Sequence, residues 1–206
     1  MKICKVEWCN EKHGAKGYCD RHYSQMRKYG KILKRTIRDP NQIIIRGEVA
    51  EIVLYNKNGN ECNRAIIDTQ GVEKIKHFKW HETGQGRVAT RINDKMVLLQ
   101  HIIIGLKQNK ATQVDHIDRN VLNNRKANLR ICTHTQNARN AGIGKNNTSG
   151  YKGVCWNKRK SKWMVEIMAD RKRFFLGYFK NKLDAAKAYN AGAIKYHGKF
   201  ACLNRI

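Results

Sequence analysis

The chain has 206 residues, with 42 Lys+Arg against 16 Asp+Glu, so its formal net charge is +26 at pH 7. A charge of this size calls for a polyanionic partner, nucleic acid or an anionic membrane surface. At 41% hydrophobic and 8% aromatic residues the chain can build packed cores, which excludes a disordered polycation as a description of the whole. The longest apolar stretch, 96–106, is interrupted by Gln100 and His101 and is too short to span a bilayer. No long basic amphipathic helix is legible either, so no membrane partner is expected. The start carries Cys4, Lys5, Glu7, Cys9 and Glu11 in place of a basic stretch followed by an apolar core, which is no secretory signal, and a cytoplasmic setting is expected. In a reducing compartment the seven cysteines read as metal ligands plus buried thiols.

The first segment, 1–40, holds three of those cysteines in the pattern Cys4-x4-Cys9-x9-Cys19-x2-His22. Three thiolates and one imidazole satisfy tetrahedral zinc in a closed structural site, and Cys19 and His22, three apart, share one face of a helical turn. His13 is an alternative fourth ligand without that spacing, and incidental buried cysteines are the bland alternative. Four ligands leave no position for a catalytic water, so the ion would serve folding, with Arg21, Arg27, Lys28 and Lys31 expected on phosphates. The basic run 28–38 and Pro40, the one proline in the chain, mark the boundary. This segment resembles the short zinc-binding modules at the front of some phage-type nucleases.

From residue 42 the pattern changes to short apolar runs, 43–45, 49–55, 65–67 and 97–99, with a turn signal at Asn58-Gly59, and these runs predict strands. Residues 113–116 and 129–131 predict two further strands around a polar loop, and Thr133 with Gln136 is a capping-box signature for a helix from His134, ended by Gly142. On that strand–loop–strand–helix unit, Asp115 and His116 end the first strand, Asn128 precedes the second, and Asn137 lies in the first helical turn. Oxygen ligands suit a hard divalent cation such as Mg²⁺ or Mn²⁺, and a histidine beside a ligating carboxylate can take a proton from water, a combination that describes phosphodiester hydrolysis. Asn123 and Asn124 read as turn residues. His101, between Leu99 and Ile102, reads equally as a core histidine or as a group near the phosphate.

Through Asp115-His116, Asn128-Leu129-Arg130 and Gln136-Asn137 this segment resembles the HNH endonuclease family, in particular phage and intron-encoded homing endonucleases. The resemblance implies a ββα-metal hairpin in which Asp115 and Asn137 bind the catalytic cation, His116 is the general base, and Asn128 orients His116. Cys132 stands alone where some relatives carry paired cysteines, so packing must hold the core.

A stretch rich in Gly, Asn, Thr and Ser over 142–150 reads as a linker. Beyond it, 150–154, 163–167 and 173–179 predict three strands, and 182–196 a helix capped by Asn181 and Asp184, closed by Gly198, with Leu183, Ala186, Tyr189 and Ala193 at helical spacing. One sheet face would lie under the helix and the other would carry Lys158, Arg159, Lys160, Arg171 and Arg173, a surface suited to the major groove. The segment 149–204 resembles the Apetala-two/ethylene-response-factor DNA-binding domain, known fused to HNH nucleases in phages. By position this implies DNA contacts from Lys152, Gly153, Arg159, Glu166, Arg173 and Phe175, while Cys155 and Met168 stand where plant members carry arginine.

The expectation is an α+β protein in three segments: a zinc-binding basic module over 1–40, an HNH endonuclease domain over 41–145 with a strand-rich support, and an Apetala-two-type domain over 146–206. The function expected is site-specific, metal-dependent cleavage of double-stranded DNA by a monomer, with no small-molecule substrate. The alternative is a sequence-specific DNA-binding regulator with an inactive HNH core.

Overall fold

A computed structural model describes residues 2–34, 39–107 and 111–206, so the end of the basic run, 35–38, lies outside the described residues. The architecture is α+β, built of small antiparallel sheets and short helices, and no described helix is long and apolar enough to cross a membrane. The chain packs as two compact units, 1–96 and 97–206.

The first unit begins with a knuckle. Ile3 bridges Lys12, and the amides of Cys4 and Cys9 donate to Glu11 O at 3.0 Å and Val6 O at 2.8 Å. The chain then enters α1 (Asp20–Tyr29), with Cys19 as its extended N-cap and Gly30 ending it in the left-handed region at φ 65°, its N–H closing on Met26 O. Next come β1 (Ile43–Arg46), β2 (Val49–Tyr55) and β3 (Glu61–Asp68), an antiparallel sheet with β2 in the middle. Ile52 and Leu54 point to one side of β2 and Val53 to the other, and all three are fully buried, so β2 is covered on both faces. The turn at Asn58-Gly59 forms as expected, with Asn56 Oδ1 accepting the N–H groups of Asn58 and Asn60 at 2.9 and 3.1 Å.

After α2 (Val72–Ile75) the buried Trp80 donates its indole N–H to Ile75 O at 3.0 Å, and Asn41 brackets the same residue by accepting Trp80 N at 2.7 Å and donating to Trp80 O. A second three-stranded sheet uses β4 (His81–Glu82), β5 (Val88–Ile92) and β6 (Lys95–Leu98), the last carrying the chain into the second unit. The strand expected over 97–99 stops at Leu98, because Leu99 opens α3 (Leu99–Ile104); a short aliphatic run fits a strand or a buried helix equally well.

In the second unit β7 (Gln113–His116) and β8 (Leu129–Cys132) form an antiparallel ribbon with Asp115 opposite Arg130 and His116 opposite Leu129. The capping box opens α4 (His134–Asn140): Thr133 Oγ1 accepts Gln136 N at 3.2 Å, and Gln136 Oε1 accepts Thr133 N at 2.9 Å. The helix stops at Asn140, two residues short of the Gly142 terminator, and Lys152 Nζ donates to the last-turn carbonyl of Arg139 at 2.7 Å and to that of Ala141.

Strands β9 (Val154–Asn157), β10 (Lys162–Ala169) and β11 (Lys172–Phe179) form a sheet with β10 central, and α5 (Lys182–His197) covers one face. Val154, Val165, Ile167, Ala185, Tyr189 and Ala193 make the core, with Trp163 and Phe174 packed against it. Leu183, expected on the buried stripe, is 44% exposed. At 100° per residue it falls about a third of a turn from the line through 185, 189 and 193, and Ala185 takes its place. Asn181 Oδ1 caps α5 by accepting Leu183 N at 2.7 Å.

Candidate active site and metal centres

At the head of the chain, the ligand atoms of Cys4, Cys9, Cys19 and His22 lie within 4.8 Å of one another. His22 Nδ1 is 3.3 Å from Cys4 Sγ and 3.4 Å from Cys19 Sγ, and Cys9 Sγ is 3.9 Å from Cys19 Sγ. Tetrahedral bond lengths of about 2.3 Å to sulfur and 2.0 Å to nitrogen require separations of roughly 3.5 to 3.8 Å, so the donor set fits one ion. The helical turn that α1 starts at Asp20 brings Cys19 and His22 together, while His13 lies outside the cluster. Burial works against ionising Cys4, but the backbone N–H groups of Cys19 and Val6, with the His22 and Cys19 side chains, outweigh it and hold the thiol at about 6. A thiolate at neutral pH is what a metal requires. Arg21, expected on phosphate, pairs with Asp39 at 2.7 Å.

In the second unit, alternation along β7 puts Gln113 and Asp115 on one face of the ribbon and His116 on the other. The face with Asp115 meets α4. Asn137 Nδ2 donates to Gln113 Oε1 at 2.8 Å, and one turn later Asn140 Nδ2 approaches both Asp115 oxygens at 3.0 Å and His116 O at 2.9 Å. Across the ribbon, Arg130 Nε and NH2 reach Asp115 Oδ2 at 2.8 and 2.7 Å. Asp115 Oδ1 thus accepts from Asn140 alone among the described residues, and donation to Gln113 leaves Asn137 Oδ1 as that amide's open acceptor. Each residue offers one oxygen of the hard-donor type that a divalent cation takes, and both lie where that ribbon face meets α4.

On the opposite face, His116 Nε2 lies 3.2 Å from Asn124 Oδ1, and Asn124 Nδ2 donates to Val121 O at 3.2 Å. With its amide nitrogen on Val121 O, Asn124 turns its oxygen toward the ring, where it can accept a proton carried on Nε2. Asn124 is fully buried, and its role exceeds that of the turn residue expected. Asn128, expected to orient the ring, instead braces the loop: its Nδ2 donates to Asp118 Oδ1 and Asn123 O, both at 2.8 Å, and its Oδ1 accepts Asp118 N at 2.9 Å. Its link to His116 runs through the backbone, where Ile117 N donates to Asn128 O at 2.8 Å. Burial pushes Asp118 up, but the donors Asn123, Asn120 N–H and Asn128 prevail and hold its carboxyl below the usual range. His101 is buried within α3.

The residues missed by sequence reasoning are therefore Asn124, Asn140 and Arg130. The one sequence signal for Asn140 is its i, i+3 spacing from Asn137, and Asn124 is hidden in a loop where Asp118, Asn120, Asn123 and Asn128 offer the same chemistry.

On the outer face of the sheet lie Glu166 opposite Phe175 and Met168 opposite Arg173, with Arg173 NH1 3.6 Å from Glu166 Oε2. Lys158, Arg159 and Lys160 stand exposed in the turn between β9 and β10, and Phe175 is 54% exposed beside Tyr178, ring centroids 4.9 Å apart. Two residues carried over for DNA contact have other partners. Lys152 caps the end of α4. Gly153, at φ 71°, has a direction for Cβ that ends 2.1 Å from the Tyr189 ring, so glycine here admits the core tyrosine.

An acidic residue and a histidine end one strand of a two-stranded ribbon, and a short helix bearing asparagines backs it. Residues 108–139, which span that ribbon and almost all of α4, match the family model described as HNH endonuclease. Protein 3.8 of Escherichia phage T7 is 39% identical over 64 residues, 31% of this chain, and the chain spans 53% of that protein's length. A protein of Acanthamoeba polyphaga mimivirus described as an uncharacterized HNH endonuclease is 26% identical over 183 residues, 87% of this chain and 94% of that protein. The chain carries an HNH-type domain and is distantly similar to a viral HNH endonuclease along most of its length.

Proposed function

We propose that this protein is a metal-dependent endonuclease of the homing type that hydrolyses phosphodiester bonds in double-stranded DNA, and that it works as a monomer. One observation carries the reading: the match to the HNH family covers the ribbon and α4 as far as Arg139, where Asn137 packs on the face that carries Asp115 and His116 faces Asn124. His116, which β7 turns to the face opposite Asp115, is the general base in this reading, with Asn124 Oδ1 at its Nε2. Asp115 and Asn137 would hold the cation, Mg²⁺ or Mn²⁺, which would supply stabilisation of the charge that develops on the phosphate. Asn128 keeps the loop after His116 in place through Asp118.

Zinc on Cys4, Cys9, Cys19 and His22 staples the head, whose donor set of three thiols and an imidazole suits that ion. Lys158, Arg159, Glu166, Arg173 and Phe175 on the sheet of β9–β11 form the second grip, in the manner of the Apetala-two domain that the segment resembles. The three segments 1–40, 41–145 and 146–206 are in this reading functional divisions along the chain. The setting is an infected host cell, as the phage and virus origins of the similar proteins suggest.

The test is conversion of supercoiled plasmid by the full chain with Mg²⁺. The expected result is nicked or linear product, with His116→Ala slowing the reaction about 10²- to 10⁴-fold at unchanged DNA affinity. If the full chain binds DNA without cutting, or His116→Ala cuts at the parent rate, the reading fails, and binding without cutting leaves a DNA-binding regulator.

A further inference from the structure

We propose that Arg130 is a positioning residue for Asp115, and that Lys199 and Phe200, beyond the end of α5, complete the nuclease site. The inference rests on the reading of Asp115 as a cation ligand. Arg130 offers five N–H donors in a planar fork. Nε and NH2 reach Asp115 Oδ2 at 2.8 and 2.7 Å, NH1 donates to Lys199 O, and the guanidinium carbon sits 4.2 Å from the centre of the Phe200 ring. Phe200 is 4% exposed, so the platform under the guanidinium is part of a packed interior.

These contacts explain how a two-stranded ribbon can hold a carboxylate in one orientation. Arg130 lies directly opposite Asp115 in the register, and from β8 alone its long side chain would have many rotamers. The carbonyl of Lys199 and the face of Phe200 remove that freedom. With Oδ2 anchored, Oδ1 is the oxygen presented to the cation, and Asn140 from α4 fixes the carboxylate from its other side.

Two further ties join the same parts of the chain. Arg119 NH1, in the loop after His116, reaches Cys202 Sγ at 3.2 Å, and Lys152 Nζ caps the end of α4. The C-terminal segment is thereby joined to the ribbon, to its loop and to its helix. A DNA-contacting sheet attached in this way holds the duplex in fixed register with the scissile phosphate, where a flexible linker would not.

The experiment uses the full chain with Phe200→Leu, which keeps a buried apolar side chain but removes the ring face, and Arg130→Lys, which keeps the charge but loses the fork. Three quantities are read: the Mn²⁺ affinity of the protein without DNA, by electron paramagnetic resonance; the single-turnover cleavage rate at saturating protein; and the DNA affinity without added divalent cation. Asp115→Asn identifies the Mn²⁺ bound at this site.

The expected result is that both variants weaken that Mn²⁺ and slow cleavage by about tenfold, with DNA affinity unchanged within about twofold. A merely structural role for Phe200 would lower the melting temperature and leave the Mn²⁺ affinity of the folded protein at the parent value, and that result overturns the proposal. If Asp115→Asn removes the Mn²⁺ while both variants bind it as the parent does, this proposal fails and the nuclease reading stands. If Asp115→Asn leaves Mn²⁺ binding intact, the assignment of Asp115 fails and takes the proposal with it.

Discussion

The two candidate metal centres are built in opposite ways. At the head, Cys4, Cys9, Cys19 and His22 lie within 19 residues of chain and their donor atoms converge on one another, with little core beneath them beyond Val6, Tyr18 and Ile32. In the ribbon, Asp115, Asn137, Asn140 and Arg130 are drawn from two strands and a helix, and their orientation depends on contacts as distant in sequence as Lys199 and Phe200. The head is a local set of donors with the makeup of a structural metal site, and the ribbon is a set of side chains that packing orients. A structural ion and a catalytic ion impose those different demands, since the first contributes folding energy outright and the second needs a preformed, partly open ligand set.

Removing metal breaks the comparison most sharply. Chelation, or Cys19→Ser, is expected to unfold the head, because a structural zinc contributes on the order of 10 kcal/mol to a small module of this kind. Residue-resolved hydrogen exchange should then show amides 4–29 losing protection while those of 113–140 keep theirs; protection lost equally in both would show that the ribbon too is folded by metal.

A smaller effect is expected from Gly153→Ala. Its Cβ would meet the Tyr189 ring at 2.1 Å and Glu166 O at 2.9 Å from a left-handed backbone, so the variant should lose about 2 to 4 kcal/mol of stability in denaturant titration. If it keeps full stability and loses DNA affinity alone, Gly153 belongs to the DNA surface instead of the core.

The smallest effect concerns pH. Burial, with Arg139 and Lys152 nearby, holds His197 below the ordinary imidazole value, while Met168 O, 2.8 Å from Nε2, and Asp170 act the other way. Because the folded value is depressed, the unfolded chain binds more protons in the window below about 6.5, so the stability of the neutral ring is complete above that pH and is lost as pH falls. Melting temperature should fall between pH 7 and pH 5, and His197→Gln should flatten that slope; an equal slope in the variant would place the titration elsewhere.

Much of this was legible in the residues because the deciding interactions are local. The i, i+3 pair Cys19 and His22, the capping box of Thr133 and Gln136 and the Asn181 cap of α5 each operate within one helical turn. The order Asp115, His116, Asn128, Asn137 located the candidate site within a segment that the family match also covers. It could not assign the hydrogen bonds. Asn124 and Asn128 carry the same amide in the same loop, and only the fold decides that one faces the ring and the other Asp118. Leu183 illustrates the same limit on a helix, where an apolar residue at plausible spacing lies off the buried stripe.

What the sequence by itself determined is the chemistry on offer: a charge of +26, three cysteines and a histidine at zinc-type spacing, and an aspartate, a histidine and two asparagines in an order that resembles the HNH family. The tertiary structure decided which atoms face which. Asn140 and Arg130 anchor Asp115, Asn124 faces the histidine ring, Lys152 and Gly153 make contacts within the fold, and Lys199 and Phe200 pack against Arg130. The physical reason is range. Caps and metal ligands act over a few residues, whereas the direction of a buried carboxylate is set by every group packed against it, and here one of those groups is supplied 85 residues farther along the chain, by Phe200 beside Asp115's partner Arg130.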